Sequence, residues 1–87
     1  MNNGVAVGIV VSANDPDQLG RVRIRIPALD NHERWARVVR PMVAKSSFLG
    51  PDVGDEVLVA FEHGSLNFPY VIGSLWNSHD RPPQQSG

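Results

Sequence analysis

Four groups of residues in this chain carry side chains that could do chemistry. The first is an acidic run, Asp15-Pro-Asp-Gln-Leu-Gly-Arg21. Calcium loops need oxygen ligands at alternate positions and a closing bidentate Glu. Asp15 and Asp17 supply carboxylates, but no Glu follows them. The density of turn formers points instead to a hairpin turn, with Gly20 supplying a backbone angle that other residues resist. The second group is Asp55-Glu56 and Glu62-His63, at the two ends of an apolar run. Carboxylates do acid–base work when they converge on one reacting group, whereas neighbours along a strand point to opposite faces. The third is the histidines His32, His63 and His79, whose spacings of 31 and 16 residues match no local zinc pattern. Ser65 follows Gly64, but Asn67 occupies the last glycine position of a nucleophile elbow. Gly4-Val-Ala-Val-Gly8 lacks the Gly-Lys-Ser/Thr ending of a phosphate loop. The expectation from these groups is a non-enzyme with no metal and no cofactor.

The fourth group is a stripe of arginines. Arg21, Arg23 and Arg25 alternate with Val22, Ile24 and Ile26, so the arginines share one face, and Arg37 lies on the next apolar stretch. A positive strand face suits single-stranded nucleic acid when aromatic platforms accompany it, each stacked base contributing about 1–3 kcal/mol. Here Trp35 is the neighbouring aromatic, with Phe48 in a later loop. The competing expectation is that the arginines pair with Glu56, Glu62 or acids of a neighbouring subunit. Such exposed pairs contribute about 0–1 kcal/mol each. The scarcity of aromatics favours this second expectation.

These groups must be held by strands. Val5–Ala13 puts Val5, Val7, Ile9 and Val11 on one face, with small residues and Val10 on the other. Arg21–Ile26 alternates without exception, and Pro27 ends it. Ala28–Arg34 reads as a polar connection and Trp35–Arg40 as a third strand. A Ser-, Gly- and Pro-rich loop follows from Met42 to Asp55. Glu56–Glu62 and Tyr70–Trp76 form the last two strands around a turn-rich link. Five short half-apolar strands separated by turn signals predict an all-β fold, a small five-stranded OB-type barrel. Val22, Ile24, Val57, Val59 and Phe61 are its expected core. Leu58, Tyr70, Ile72 and Trp76, on the opposite faces of their strands, are the expected contact residues.

With 87 residues, the chain allows one small domain with a marginal core, and the absence of cysteine removes disulfide and thiolate-metal support. No run approaches the ~20 apolar residues of a membrane-spanning helix, and the first residues lack a basic signal-peptide region. Net charge is −1, but residues 21–45 net +5 and the remainder −6. That asymmetry, rather than the total, is the informative quantity.

Several stretches, taken in order, resemble a known family. They are Gly8-Ile-Val-Val, Asn14-Asp-Pro-Asp-Gln-Leu-Gly-Arg-Val-Arg-Ile-Arg-Ile-Pro27, Trp35-Ala-Arg-Val, Pro51-Asp-Val-Gly-Asp-Glu-Val-Leu-Val-Ala-Phe-Glu-His-Gly64 and Pro69-Tyr-Val-Ile-Gly-Ser-Leu-Trp-Asn77. Together they are similar to the OB domain of phage baseplate protein V, also found in VgrG-type spikes of type VI secretion. The resemblance implies an antiparallel Greek-key barrel over residues 1–80, with residues 81–87 as a Pro/Gln-rich tail toward a needle segment. It implies a structural connector in a membrane-puncturing spike, a homotrimer when assembled, placed between a tail-tube hub and a needle or tip protein. It further implies assembly in the bacterial cytoplasm into a virion or secreted apparatus, with no small-molecule substrate. The hub, lysozyme-like and β-helix segments of longer members have no counterpart here, so the expectation is an excised domain or a short stand-alone form. The domain alone is expected to be monomeric. The alternative expectation is an OB module binding single-stranded nucleic acid through the Arg21, Arg23 and Arg25 face.

Overall fold

Alternation explains most of the backbone in the computed structural model, which describes residues 4–40 and 50–77. Five strands occur among them: β1 Val5–Ser12, β2 Val22–Ile26, β3 His32–Val38, β4 Glu56–Phe61 and β5 Pro69–Ser74. They close into a barrel in the order β1-β2-β3-β5-β4. Every pairing is antiparallel except β3 with β5, which runs parallel through Arg37 opposite Tyr70 and Val38 opposite Val71. This is the strand order of a five-stranded OB barrel. Closure pairs most of the sheet edge of the kind that invites aggregation, apart from one side of β3 between His32 and Ala36.

The core is Val10, Val22, Ile24, Ile26, Ala36, Val57, Val59 and Val71, with Ala6, Leu29, Val38 and Phe61 packed at its margin. β2 meets the sequence expectation at every position: Val22, Ile24 and Ile26 are buried while Arg23 and Arg25 point out. Val57 and Val59 are buried as expected, and Phe61 is only half-buried.

β1 turns its small face inward. Its buried residues are Gly8 and Val10, while Val5 and Val7 are exposed. The reason is space. β1 is paired on both sides, to β2 and to β4, where the barrel wall curves tightly. A Cβ on Gly8 would lie 3.1 Å from Val59 Cγ2 and 3.5 Å from the carbonyl oxygen of Arg25. Small interior residues fit the taper of a small barrel, so the small face of β1 turns inward and its larger valines turn out. A bulge follows: Val10 faces Ile24 and Ser12 faces Arg23, leaving Val11 as the extra residue.

β3 begins earlier than expected. Asp30 and Asn31 both adopt left-handed backbone angles, with φ of 61° and 58°. Asp and Asn tolerate that region better than other non-glycine residues. They therefore reverse the chain tightly after the short 3-10 turn Pro27–Leu29, and pairing starts at once, with His32 opposite Ile26. A second bulge lies on β5, where Leu58 faces Gly73 but Val59 faces Val71, so Ile72 is extruded. The expected Phe48 platform and residues 81–87 lie outside the described residues.

Candidate functional site

The β1–β2 loop is organised by one carboxylate. Asp15 Oδ1 accepts hydrogen bonds from the Asp17 amide at 2.9 Å and from Arg21 Nη2 at 2.9 Å. Asp15 Oδ2 accepts from the Leu19 amide at 3.0 Å, the Arg21 amide at 3.2 Å and Arg21 Nε at 2.9 Å. The side chain retains only 3% of its exposure. The Arg21 guanidinium, aided by the three backbone amides, holds the Asp15 carboxyl well below the usual carboxylate range, against an opposing effect of burial. Arg21 Nη2 also reaches Asp17 Oδ2 at 2.9 Å. Gly20, at φ 73°, supplies the left-handed residue that lets the chain return to β2. The acidic run is therefore a self-satisfied turn. Its apex carries Leu19, 70% exposed.

The arginine stripe is neutralised by neighbours other than those expected. Arg21 pairs with Asp15 and Asp17, and Arg23 Nε with Glu33 Oε1 at 2.9 Å. Of the carboxylates expected to take this role, Glu56 accepts from Asn77 Nδ2 at 3.0 Å and Glu62 accepts from the Tyr70 hydroxyl. The correction comes from register: Arg23 lies opposite Trp35, one diagonal from Glu33, whereas β4 is not adjacent to β2. Arg25 lies between Ile9 on one side and Glu33 on the other. Tyr70 is held protonated to higher pH than usual, mainly because it donates to Glu62.

Two cations lie over Trp35. The Arg21 and Arg23 guanidinium carbons lie 5.7 and 5.9 Å from its ring centre, and that of Arg37 lies 5.9 Å from the Tyr70 ring. Contacts of this kind contribute about 0.5–1 kcal/mol where exposed. Arg34 spans to the β4–β5 loop, with Nη2 and Nε 3.3 and 3.4 Å from Asn67 Oδ1, and donates to the Glu33 carbonyl at 2.9 Å. Between these groups runs a groove of about 530 Å³ lined by Leu19, Arg21, Trp35, Arg37, Asn67, Phe68, Pro69 and Tyr70.

The other outward face is apolar. Val7 lies opposite Leu58 and Val5 opposite Ala60, with Ile72 on the adjoining strand. Val5, Val7 and Ile72 are all substantially exposed, and Trp76 stands out beyond the end of β5. The seven residues expected to make contacts thus divide in two. Arg21, Arg23 and Tyr70 gather with Trp35 and Arg37, whereas Leu58 and Ile72 lie on the apolar face with Val5 and Val7. Arg25 and Trp76 stand outside both clusters. The sequence reading missed Phe68 and the Arg37–Tyr70 contact, because only the parallel β3–β5 pairing brings those segments together. Among the described residues, no group of three or more His, Asp or Glu could hold a metal ion.

Residues 6–76 match the model of the type VI secretion system/phage-baseplate injector OB domain. The chain belongs to that family. It is 36% identical over 77 residues to the type VI secretion system spike protein VgrG5 of Pseudomonas aeruginosa, an alignment covering 79% of this chain. The chain spans about a tenth of that relative's length, the aligned part being 10% of it.

Proposed function

We propose that this domain is a non-catalytic structural connector in the spike of a contractile injection particle, a phage tail or a type VI system. Membership of the injector OB family over residues 6–76 carries the reading. Two features of the barrel support it. The charged side chains on β2 and in the acidic turn are largely tied to one another, and among the described residues a partly exposed apolar strip runs across β1, β4 and β5. In this reading the barrel transmits axial force between a tail-tube hub and a needle or tip protein. Three copies assemble around the spike axis in the bacterial cytoplasm, before the particle fires. The barrel alone is monomeric, since association draws on flanking segments.

Assembly in the host tests this. Removing residues 5–74 in frame should leave particles without a working spike, seen by electron microscopy and by loss of delivery into target cells. Intact, firing particles would overturn the reading. Light scattering of the isolated chain separates the trimer question: a stable trimer would place the association within this segment. The nucleic-acid alternative is weakened by the carboxylate partners of Arg21 and Arg23. A flat titration with single-stranded oligonucleotide at low salt is expected.

A further inference from the structure

The gap between β3 and the β4–β5 loop combines three features that no spike-connector role requires. First, β3 pairs with β2 from His32 to Ala36 and with β5 only at Arg37 and Val38. From His32 to Ala36 its second edge has no strand partner among the described residues. The Glu33 carbonyl accepts from the Arg34 guanidinium instead, and Arg34 reaches across to Asn67 through long bonds of 3.3 and 3.4 Å. Second, Trp35 of this stretch lines the groove of about 530 Å³, which also takes in Leu19 at 70% and Phe68 at 59% exposure. Third, the groove lining includes two arginines and no carboxylate-bearing residue. Arg21 is neutralised by Asp15 and Asp17, while Arg37 stacks on Tyr70 and forms no ion pair among the described residues.

We propose that this gap binds an extended, acidic and apolar peptide segment of a partner protein, which adds as a short strand along the open edge of β3. Main-chain hydrogen bonds to an exposed edge give such docking its affinity, and pockets for alternate side chains give it specificity. The segment displaces Arg34 from Asn67 and sets an apolar side chain among Leu19, Trp35 and Phe68. It sets a carboxylate against Arg37. Charge complementarity selects this occupant: a single guanidinium with no ion pair among the described residues matches one carboxylate better than a run of phosphates. A nucleic acid also has no use for an open peptide edge.

The site stands apart from the connector role, because a barrel that binds no peptide can still transmit force. The test uses the full chain, isotopically labelled, titrated with three probes: an octapeptide alternating Leu and Asp, its Leu and Lys counterpart, and a single-stranded oligothymidine. The Leu–Asp peptide is expected to shift the amides of residues 33–37 and 67–70 at submillimolar concentration. Arg37→Glu and, separately, Phe68→Ser should each weaken it about tenfold or more, a change of about 1.4 kcal/mol. Dispersed amide spectra of both variants will establish that they remain folded. No shifts up to millimolar peptide, equal binding of the Leu–Lys peptide, or tighter binding of the oligothymidine at these residues would overturn the proposal.

Discussion

On β2 and β3 the outward positions carry Arg, Trp and Glu that contact one another; on β1 and β4 they carry mostly Val, Ile, Leu and Ala, uncovered by any described residue. Both surfaces lie on one barrel and share one core. The first face largely completes its own interactions: Arg21 and Arg23 pair with carboxylates, Arg34 donates to a carbonyl and Arg37 lies over a ring. Another protein gains little there, except at the groove where Arg37 is left over. On the second face Val5, Val7 and Ile72 keep a large share of their apolar surface in water. Burying such surface is worth about 25 cal/mol per Å², so a larger assembly has most to gain on that side. One face holds the domain's shape and the other offers contact area.

The comparison can be broken or sharpened by substitution, and the largest effect should come from the core beneath both faces. Ile24→Ala removes a fully buried side chain and should cost about 2–5 kcal/mol, measured by urea denaturation. A loss below 1 kcal/mol would contradict the packing described. Gly8→Leu forces a side chain toward Val59 and should cost about 1–3 kcal/mol. If that variant is as stable as the parent, the close approach does not explain why β1 turns its small face inward.

Asp15→Asn should lower the melting temperature at neutral pH and flatten the acid limb of the stability curve. The folded-state pKa of Asp15 is depressed, first by the Arg21 hydrogen bonds. Its stabilising contribution is therefore fully present above the unfolded value, about 3.9, and is lost as pH falls from there toward the folded value. Melting curves from pH 7 to pH 2 measure this, and parallel acid limbs for both proteins would refute it. Glu33→Gln removes the exposed partner of Arg23 and should cost about 0–1 kcal/mol, less at high salt. Ile72→Asp should change monomer stability least, within about 0.5 kcal/mol, yet it should block particle assembly in the host. Normal assembly with that variant would remove the apolar face from the connector reading.

How much was legible depended on whether the two faces of a strand differed in chemistry. Arg21–Ile26 could be read at every position because arginines and branched apolar residues alternate. β1 was ambiguous because both of its faces are apolar. Alternation alone left the choice of face open, and the close approach of Val59 to Gly8 decides for Gly8 and Val10. The early start of β3 was hidden in Asp30 and Asn31, whose left-handed angles turn a polar connection into a tight reversal. Within the candidate site, Arg23 beside Trp35 follows from a local hairpin. Arg37 beside Tyr70, and Phe68 near Trp35, depend on a parallel pairing between distant segments. Periodicity carries no information about such a pairing.

The way the barrel closes also has a consequence for synthesis. β1 waits for β4 as its second neighbour, and β3 gains its parallel partner only with β5, the last of the described strands. A nascent chain emerging at about 5–20 residues per second therefore holds its first strand half-paired for seconds. During that interval both apolar sides of β1 are open to chaperones and to other nascent chains on the same message. Val5 and Val7 are then among the apolar surfaces that neighbouring chains can meet.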